Sequence, residues 1–335
     1  MLGRLGLLAG TILATLLALE LLLRVSYSAG SLTDWSNLVL NARTILTRTE
    51  QTRFRHDDRL GVVPLNGVRG NGSVYPLNTK PPIVAAGDSY TYGEEVSDAE
   101  TWPAQLERRL DRPVLNGGVS SYGFDQTVLR AEILAAENKP AAIVVAFIAD
   151  DIRRTEMSRM WGAEKPYFDF SGNGLVLRNV PVPPRPEPRT TLTFWQRTLG
   201  HSFLFDFILR RLDLLYDWFG EHVRVHPAGS GERIACLLTE RLAELQKRSA
   251  VPVLMLAQYD PVVWQDKAFA DEQRRMTGGL LRCAAGSGLS TIDSFDLLAA
   301  YHADAKRLYV LWHMSSEGNW LMAQLVARAL DGKLQ

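Results

Sequence analysis

The chain predicts an α/β fold, a three-layer α/β/α arrangement around a mainly parallel central sheet. Two observations predict it. Short apolar runs at Ile83-Val84-Ala85-Ala86, Ala141 to Ile148 and Val251 to Ala257 are continuous, as expected of strands buried on both faces. Stretches with helical patterning fall between and after them, so strand and helix alternate and neighbouring strands run parallel. In order, the elements are a strand at 83–86, a helix over 99–110 with Trp102, Leu106 and Leu110 on one face, and a short strand at 113–116. A helix over 126–137, strands at 141–148 and 251–257, a helix over 269–285, a strand at 290–292 and a closing helix over 315–330 complete the set.

Composition sets the frame. A chain of 335 residues can hold one large domain, or one domain with an insertion. Its 46% hydrophobic and 22% charged residues suit a globular protein with a sizeable core. Lys plus Arg and Asp plus Glu are both 37, which leaves no net charge to argue for nucleic acid as a partner. The only cysteines, Cys236 and Cys283, make neither a disulfide framework nor a metal pattern. Two free buried thiols are the expected reading, with pairing in an oxidising compartment as the alternative. His222 and His226 stand four apart without an accompanying carboxylate motif, so no metal site is expected there. Neither metal nor cofactor is expected elsewhere.

Three segments precede or interrupt the alternation. Residues 5–23 carry one charge, Glu20, and are long enough to cross a bilayer, with Arg4 and Arg24 at the two ends. A single-span anchor over 1–28 is the leading expectation. A signal peptide cleaved near Ser26-Tyr27-Ser28-Ala29 is the alternative, and a buried helix the third reading. Residues 29–80 read as a stalk and lead-in, with a short helix near Leu38 to Ile45, a loop or edge hairpin at 56–61, and His56 as a surface residue. Within the main domain, 81–335, residues 153–230 break the rhythm and are expected to form an inserted cap. The cap holds the aromatics Trp161, Tyr167, Phe168 and Phe170, then a proline-rich strap over 180–188 and an amphipathic helix over 202–219. Those aromatics could choose substrate or simply pack on the core.

The chemistry centres on Gly87-Asp88-Ser89-Tyr90-Thr91-Tyr92-Gly93, which begins where the 83–86 strand stops. Ser89 is thereby placed at a strand-to-loop corner, where open α/β sheets carry their ligands. Taken alone, the tripeptide Gly87-Asp88-Ser89 reads equally well as a turn with a capping serine. This stretch, however, resembles the first block of the SGNH (GDSL-type) hydrolases. Asn116-Gly117-Gly118-Val119 resembles their second block, and His313-Met314-Ser315-Ser316-Glu317-Gly318-Asn319 their last. The resemblance covers roughly residues 82–330, with the blocks in the family's order. It implies Ser89 as nucleophile, His313 as its base, and the backbone N–H groups of Ser89 and Gly118 as an oxyanion hole, with Asp88, Asn116 and Asp151 in support.

Two positions depart from the family's pattern. Asp150 stands where the family carries an Asn that donates to the oxyanion, and an ionised carboxylate only accepts hydrogen bonds. Three explanations are open: Asp150 is protonated and donates, it has another role, or the strand is shifted by one. The acid that usually precedes the histidine is replaced by Val310 and Leu311; Asp304 and Glu317 lie nearby without matching its place. The resemblance implies a serine esterase, acting on acyl esters and most plausibly on O-acetyl groups of a carbohydrate or on a lipid ester. Such a protein would be membrane-anchored and face the periplasm or cell exterior. Acyl transfer to a sugar, and a catalytically weak glycan-binding relative, are the alternatives.

Overall fold

The computed structural model describes residues 2–27, 35–72, 80–172, 174–189, 191–212, 214–301 and 305–334. Ser28, Ala29 and Asp304 lie outside them.

Five strands form the central sheet: β1 (Ile83–Ala86), β2 (Val114–Asn116), β3 (Ala142–Phe147), β4 (Val253–Ala257) and β5 (Ser290–Asp293). Their spatial order is β5-β4-β3-β1-β2. Every neighbouring pair is parallel. Strands β1, β3 and β4 are buried at every residue, the physical reason their sequences are apolar without alternation. From β1 the chain moves to one side to make β2, then returns to the other side to make β3. The strand order therefore reverses at β1, and the loop that carries Ser89 leaves from this switch point.

Helices cover the sheet in two groups. Trp102–Leu110 packs against the closing helix Ser316–Leu330, while Phe124–Asn138, Ser230–Ser249 and Lys267–Gly286 pack together. Local signals start these helices. Thr101 accepts from Ala104 N–H, Asp266 accepts from Ala268 and Phe269, and Ser315 accepts from Gly318.

The two cysteines correct the expectation of free thiols. Cys236, on Ser230–Ser249, is disulfide-bonded to Cys283, on Lys267–Gly286, with the Cα atoms 5.4 Å apart. The helices pack side by side, and this approach could not be read from a separation of 47 residues. Closing a loop of that length stabilises by roughly 2–4 kcal/mol. Cys236→Ser with Cys283→Ser is therefore expected to lower Tm by several degrees without altering the fold. Equal thermal melts of the oxidised parent and the double variant would show that the bridge contributes nothing.

The chain divides into two compact units, one of residues 1–53, 161–163 and 185–223, the other of 54–160, 164–184 and 224–335. The stretch expected to be a single cap is thus shared between them. Residues 164–184 of the sheet-containing unit include the hairpin Tyr167–Ser171 with Gly174–Arg178. The expected helix over 202–219 is two helices, Phe203–Arg211 and Leu215–Phe219, with Leu214 N–H closing the turn onto Leu209 C=O. The two histidines at four-residue spacing are each engaged by other groups. His226 bonds the Phe168 carbonyl in the sheet unit, and His222 packs between Trp161 and Tyr216 in the other. His56 is exposed on the strand Phe54–Asp57.

The smaller unit begins with the helix Leu2–Tyr27, of which Gly6–Tyr27 is long and apolar enough to span a membrane. The lead-in helix Leu38–Arg53 is longer than its sequence pattern suggested. It joins the 185–223 stretch through Leu38 N–H to Gly200 C=O, Asn37 to Gln196 C=O, and Arg43 to Phe219 C=O.

Candidate active site

Ser89 opens a short helix, Ser89–Tyr92, directly after β1. Asp88 caps it, accepting from Tyr90 N–H at 2.9 Å, and Gly93 ends it in the left-handed region at φ 84°. Glycines let the neighbouring backbones close in. A Cβ on Gly87 would stand 2.1 Å from Thr91 Oγ1, and one on Gly118 would stand 2.1 Å from Tyr92 N. Only glycine at 118 lets the loop after β2 lie against the Ser89 helix. The glycines of the first two blocks are therefore packing requirements at one corner.

His313 comes from the opposite end of the chain. It pairs with Val310 in a small antiparallel hairpin, Tyr309–Val310 with His313–Met314. The block that follows serves mainly to hold it. Ser315 caps the closing helix, Gly318 clears the Leu308 carbonyl, and buried Asn319 accepts from Trp102 N–H at 2.9 Å. Tyr90 ties the loop to the nucleophile helix, its hydroxyl donating to Trp312 C=O at 2.7 Å. The result is His313 Nε2 at 3.0 Å from Ser89 Oγ. That is hydrogen-bond reach for a base taking the serine proton.

The acid missing from the positions before His313 is met from elsewhere. Glu95 Oε1 lies 3.4 Å from His313 Nδ1, a buried nitrogen with no hydrogen bond among the described residues. The spacing is an ion-pair distance rather than a finished hydrogen bond; such contacts commonly tighten to about 3 Å when substrate is bound. Glu95 follows the nucleophile helix and has φ 68°, a left-handed conformation uncommon outside glycine. Arg69 holds this turn, donating to the carbonyls of Tyr92, Gly93 and Val96 and to Asp98. No sequence signal beyond the adjacent pair Glu94-Glu95 marked the residue. The nearby Glu317 is bonded to Arg307. Leu311 is 78% exposed at the hairpin turn, so an acid placed there would face solvent.

Beneath the nucleophile lies a buried polar cluster. Arg154 bonds Asp151 at 2.7 Å and stands 3.8 Å from Asp88, both carboxylates being fully buried. Burial pushes both acids above the ordinary carboxylate range, Asp151 further because Asp88 is close by; Arg154 opposes the rise in each. Asp151 also accepts from Ile148 N–H, which pins the start of the helix Ala149–Arg154 after β3. Asp88 Oδ2 is 3.4 Å from Ser89 Oγ. Asn116, at the end of β2, accepts from Gly118 N–H at 3.1 Å, so one of the two expected oxyanion donors already has a side-chain acceptor. Asp88, Asn116 and Asp151 thus gather at this corner as structural supports.

Asp150 does not join them. Successive residues on a helix point about 100° apart, so with Asp151 turned inward Asp150 turns outward. Its side chain is 46% exposed and accepts from Arg153, which also pairs with Glu272. It accepts from the guanidinium there, and it also lies within electrostatic reach of Tyr90 beside the nucleophile. Asp150→Asn is expected to keep kcat/KM within a few-fold of the parent and to cost at most about 1 kcal/mol of stability. A folded but inactive variant, measured at several pH values, would restore Asp150 to the reaction.

No family model and no curated protein sequence matches the chain. Solved structures are similar to it. One is a putative lipolytic protein of the G-D-S-L family from Desulfitobacterium hafniense DCB-2, 14% identical, with 75% of this chain and 100% of that one covered and a TM-score of 0.39. Another is a lipase/acylhydrolase from Enterococcus faecalis, 16% identical, covering 76% and 97% with a TM-score of 0.43. A third is an acetyl xylan esterase from Geobacillus stearothermophilus, 12% identical, covering 77% and 98% with a TM-score of 0.45. Likeness at these levels leaves the chemistry to be argued from the site.

Proposed function

We propose that the chain is a serine esterase of the SGNH type. One observation carries the reading: two residues 224 positions apart, Ser89 and His313, meet with Oγ and Nε2 at 3.0 Å. In the proposed reaction His313 Nε2 takes the Ser89 proton as Oγ attacks the acyl carbonyl. It then returns that proton to the leaving alcohol, and water releases the acyl group by the same path. Glu95 holds the imidazole through Nδ1 and offsets the positive charge that develops on the ring. Backbone N–H groups at Ser89 and Gly118 face the oxyanion, with Asn116 yielding its hold on Gly118 as the substrate oxygen arrives. Glu95 weakens the reading as a catalytically weak glycan-binding relative, because the lost acid was one of its two supports, the other being Asp150 in place of the family's Asn.

The substrate class proposed is an acyl ester of the cell envelope, an O-acetylated carbohydrate or a lipid ester, with residues 6–27 as a retained anchor. The disulfide supports an oxidising compartment for the sheet unit. Retention is supported by Glu20 and Arg24, which bond residues 201–204 of the folded chain; a cleaved signal peptide would have no such partners to keep. The test is reaction of the full-length protein with a fluorophosphonate, with the modified residue mapped by mass spectrometry. Turnover of p-nitrophenyl esters of increasing acyl length follows. Labelling at Ser89 with turnover of short esters is expected. Absence of both would leave a binding protein.

A further inference from the structure

The contact between the first helix and residues 201–204 also sets a depth. Glu20 accepts from Ser202 Oγ at 2.8 Å, Phe203 N–H at 3.1 Å and Leu204 N–H at 2.9 Å, so the one acid in the apolar stretch caps the helix Phe203–Arg211. Arg24 donates to Glu20 at 2.8 Å and to His201 C=O at 2.7 Å, and its guanidinium lies over Trp35 and Phe203 at 4.2 and 4.9 Å. Arg24 is 1% exposed, so the pair is a built joint inside this unit.

If Gly6–Tyr27 crosses the bilayer, the anchor reading on which this inference rests, Glu20 stands seven residues inside the end of the span. That is about 10 Å along the helix axis. The 22-residue span is about 33 Å long against ~30 Å of hydrocarbon, so there is little slack to lift residue 20 clear of the membrane. Whatever caps onto Glu20 therefore lies near the boundary of headgroups and acyl chains. The chain found there has the matching surface. Phe194, Trp195 and Leu212 are 69%, 62% and 61% exposed, and Arg210 and Arg211 follow on the same stretch. Exposed apolar side chains beside arginines are the make-up of helices that lie in a membrane interface, where Trp prefers the headgroup level and Arg stems reach for phosphate.

We propose that residues 194–212 form a membrane-seated shelf, with the helices Phe194–Leu199 and Phe203–Arg211 lying in the interfacial layer beside the span. The insertion is then a second, peripheral attachment that fixes the smaller unit at the bilayer surface.

The test uses the full chain in vesicles of phosphatidylcholine with a minority of phosphatidylglycerol. Single cysteines replace Phe194, Leu212, Leu17 and, as a control, Asp111 of the sheet unit; each is labelled with an environment-sensitive fluorophore under non-reducing conditions. Probes at 194 and 212 should be quenched by lipids spin-labelled near the headgroup, the probe at 17 by lipids labelled at mid-chain, and that at 111 by neither. Iodide-accessible probes at 194 and 212 beside a lipid-quenched probe at 17 would overturn the shelf and leave the anchor standing. A water-exposed probe at 17 would remove the anchor and the shelf together. Shielding at 194 and 212 that disappears when protein is diluted in lipid would assign the patch to a second copy of the chain, which also overturns the proposal.

Discussion

Ser89→Ala is expected to lower ester turnover by at least about 10³-fold and to abolish fluorophosphonate labelling, with the fold intact. The serine hydroxyl stands within hydrogen-bond reach of His313 Nε2, the placement that the proposed attack and proton transfer need. Its removal takes away the hydrogen bond to the part-buried ring and the longer one to Asp88, a stability change of about 1–2 kcal/mol. The helix around it persists because Asp88 and Gly93, not the hydroxyl, terminate its two ends. Thermal melting and turnover measured on the same preparation separate the two effects. A variant that melts like the parent and still turns over esters at the parent rate would remove Ser89 from the reaction.

The second large effect is expected at Glu95. Glu95→Gln retains size and removes charge, so the imidazole loses the group that offsets its positive form during proton transfer. A fall in kcat of about 10- to 10²-fold is expected, smaller than the ~10⁴-fold cost of replacing a fully buried triad acid, because Glu95 is 23% exposed and water can take over part of its role. KM should hold, since the carboxylate meets the ring and not the acyl group. Glu95→Asp should recover part of the lost rate if its shorter side chain can still approach Nδ1. Leu311→Asp should not, because that side chain points into solvent. Unchanged kcat in Glu95→Gln would return the site to a serine–histidine dyad.

These two residues also mark the division between what was legible in the sequence and what was not. Ser89 and His313 could be found because the stretches around them resemble the first and last blocks of a known hydrolase family, the serine at a strand end and the histidine ahead of a capped helix start. Glu95 could not. Its role depends on a left-handed turn held by Arg69, and no pattern along the chain says that position 95 will reach position 313. The two aspartates after β3 were legible as a pair but not as individuals. Helical phase sends Asp151 to Arg154 under the nucleophile and Asp150 outward to Arg153.

By itself the sequence determined the alternation of strands and helices, because burial on both faces demands unbroken apolar runs. The three blocks of the site were legible through their resemblance to a known family, and their glycines and caps are local requirements of the backbone. Tertiary structure decided the rest. The Cys236–Cys283 bridge, the split of the expected cap between two units, and the capping of Phe203–Arg211 by Glu20 all join residues far apart in the chain. Such contacts are set by which faces pack together, and packing leaves its mark on composition but not on order.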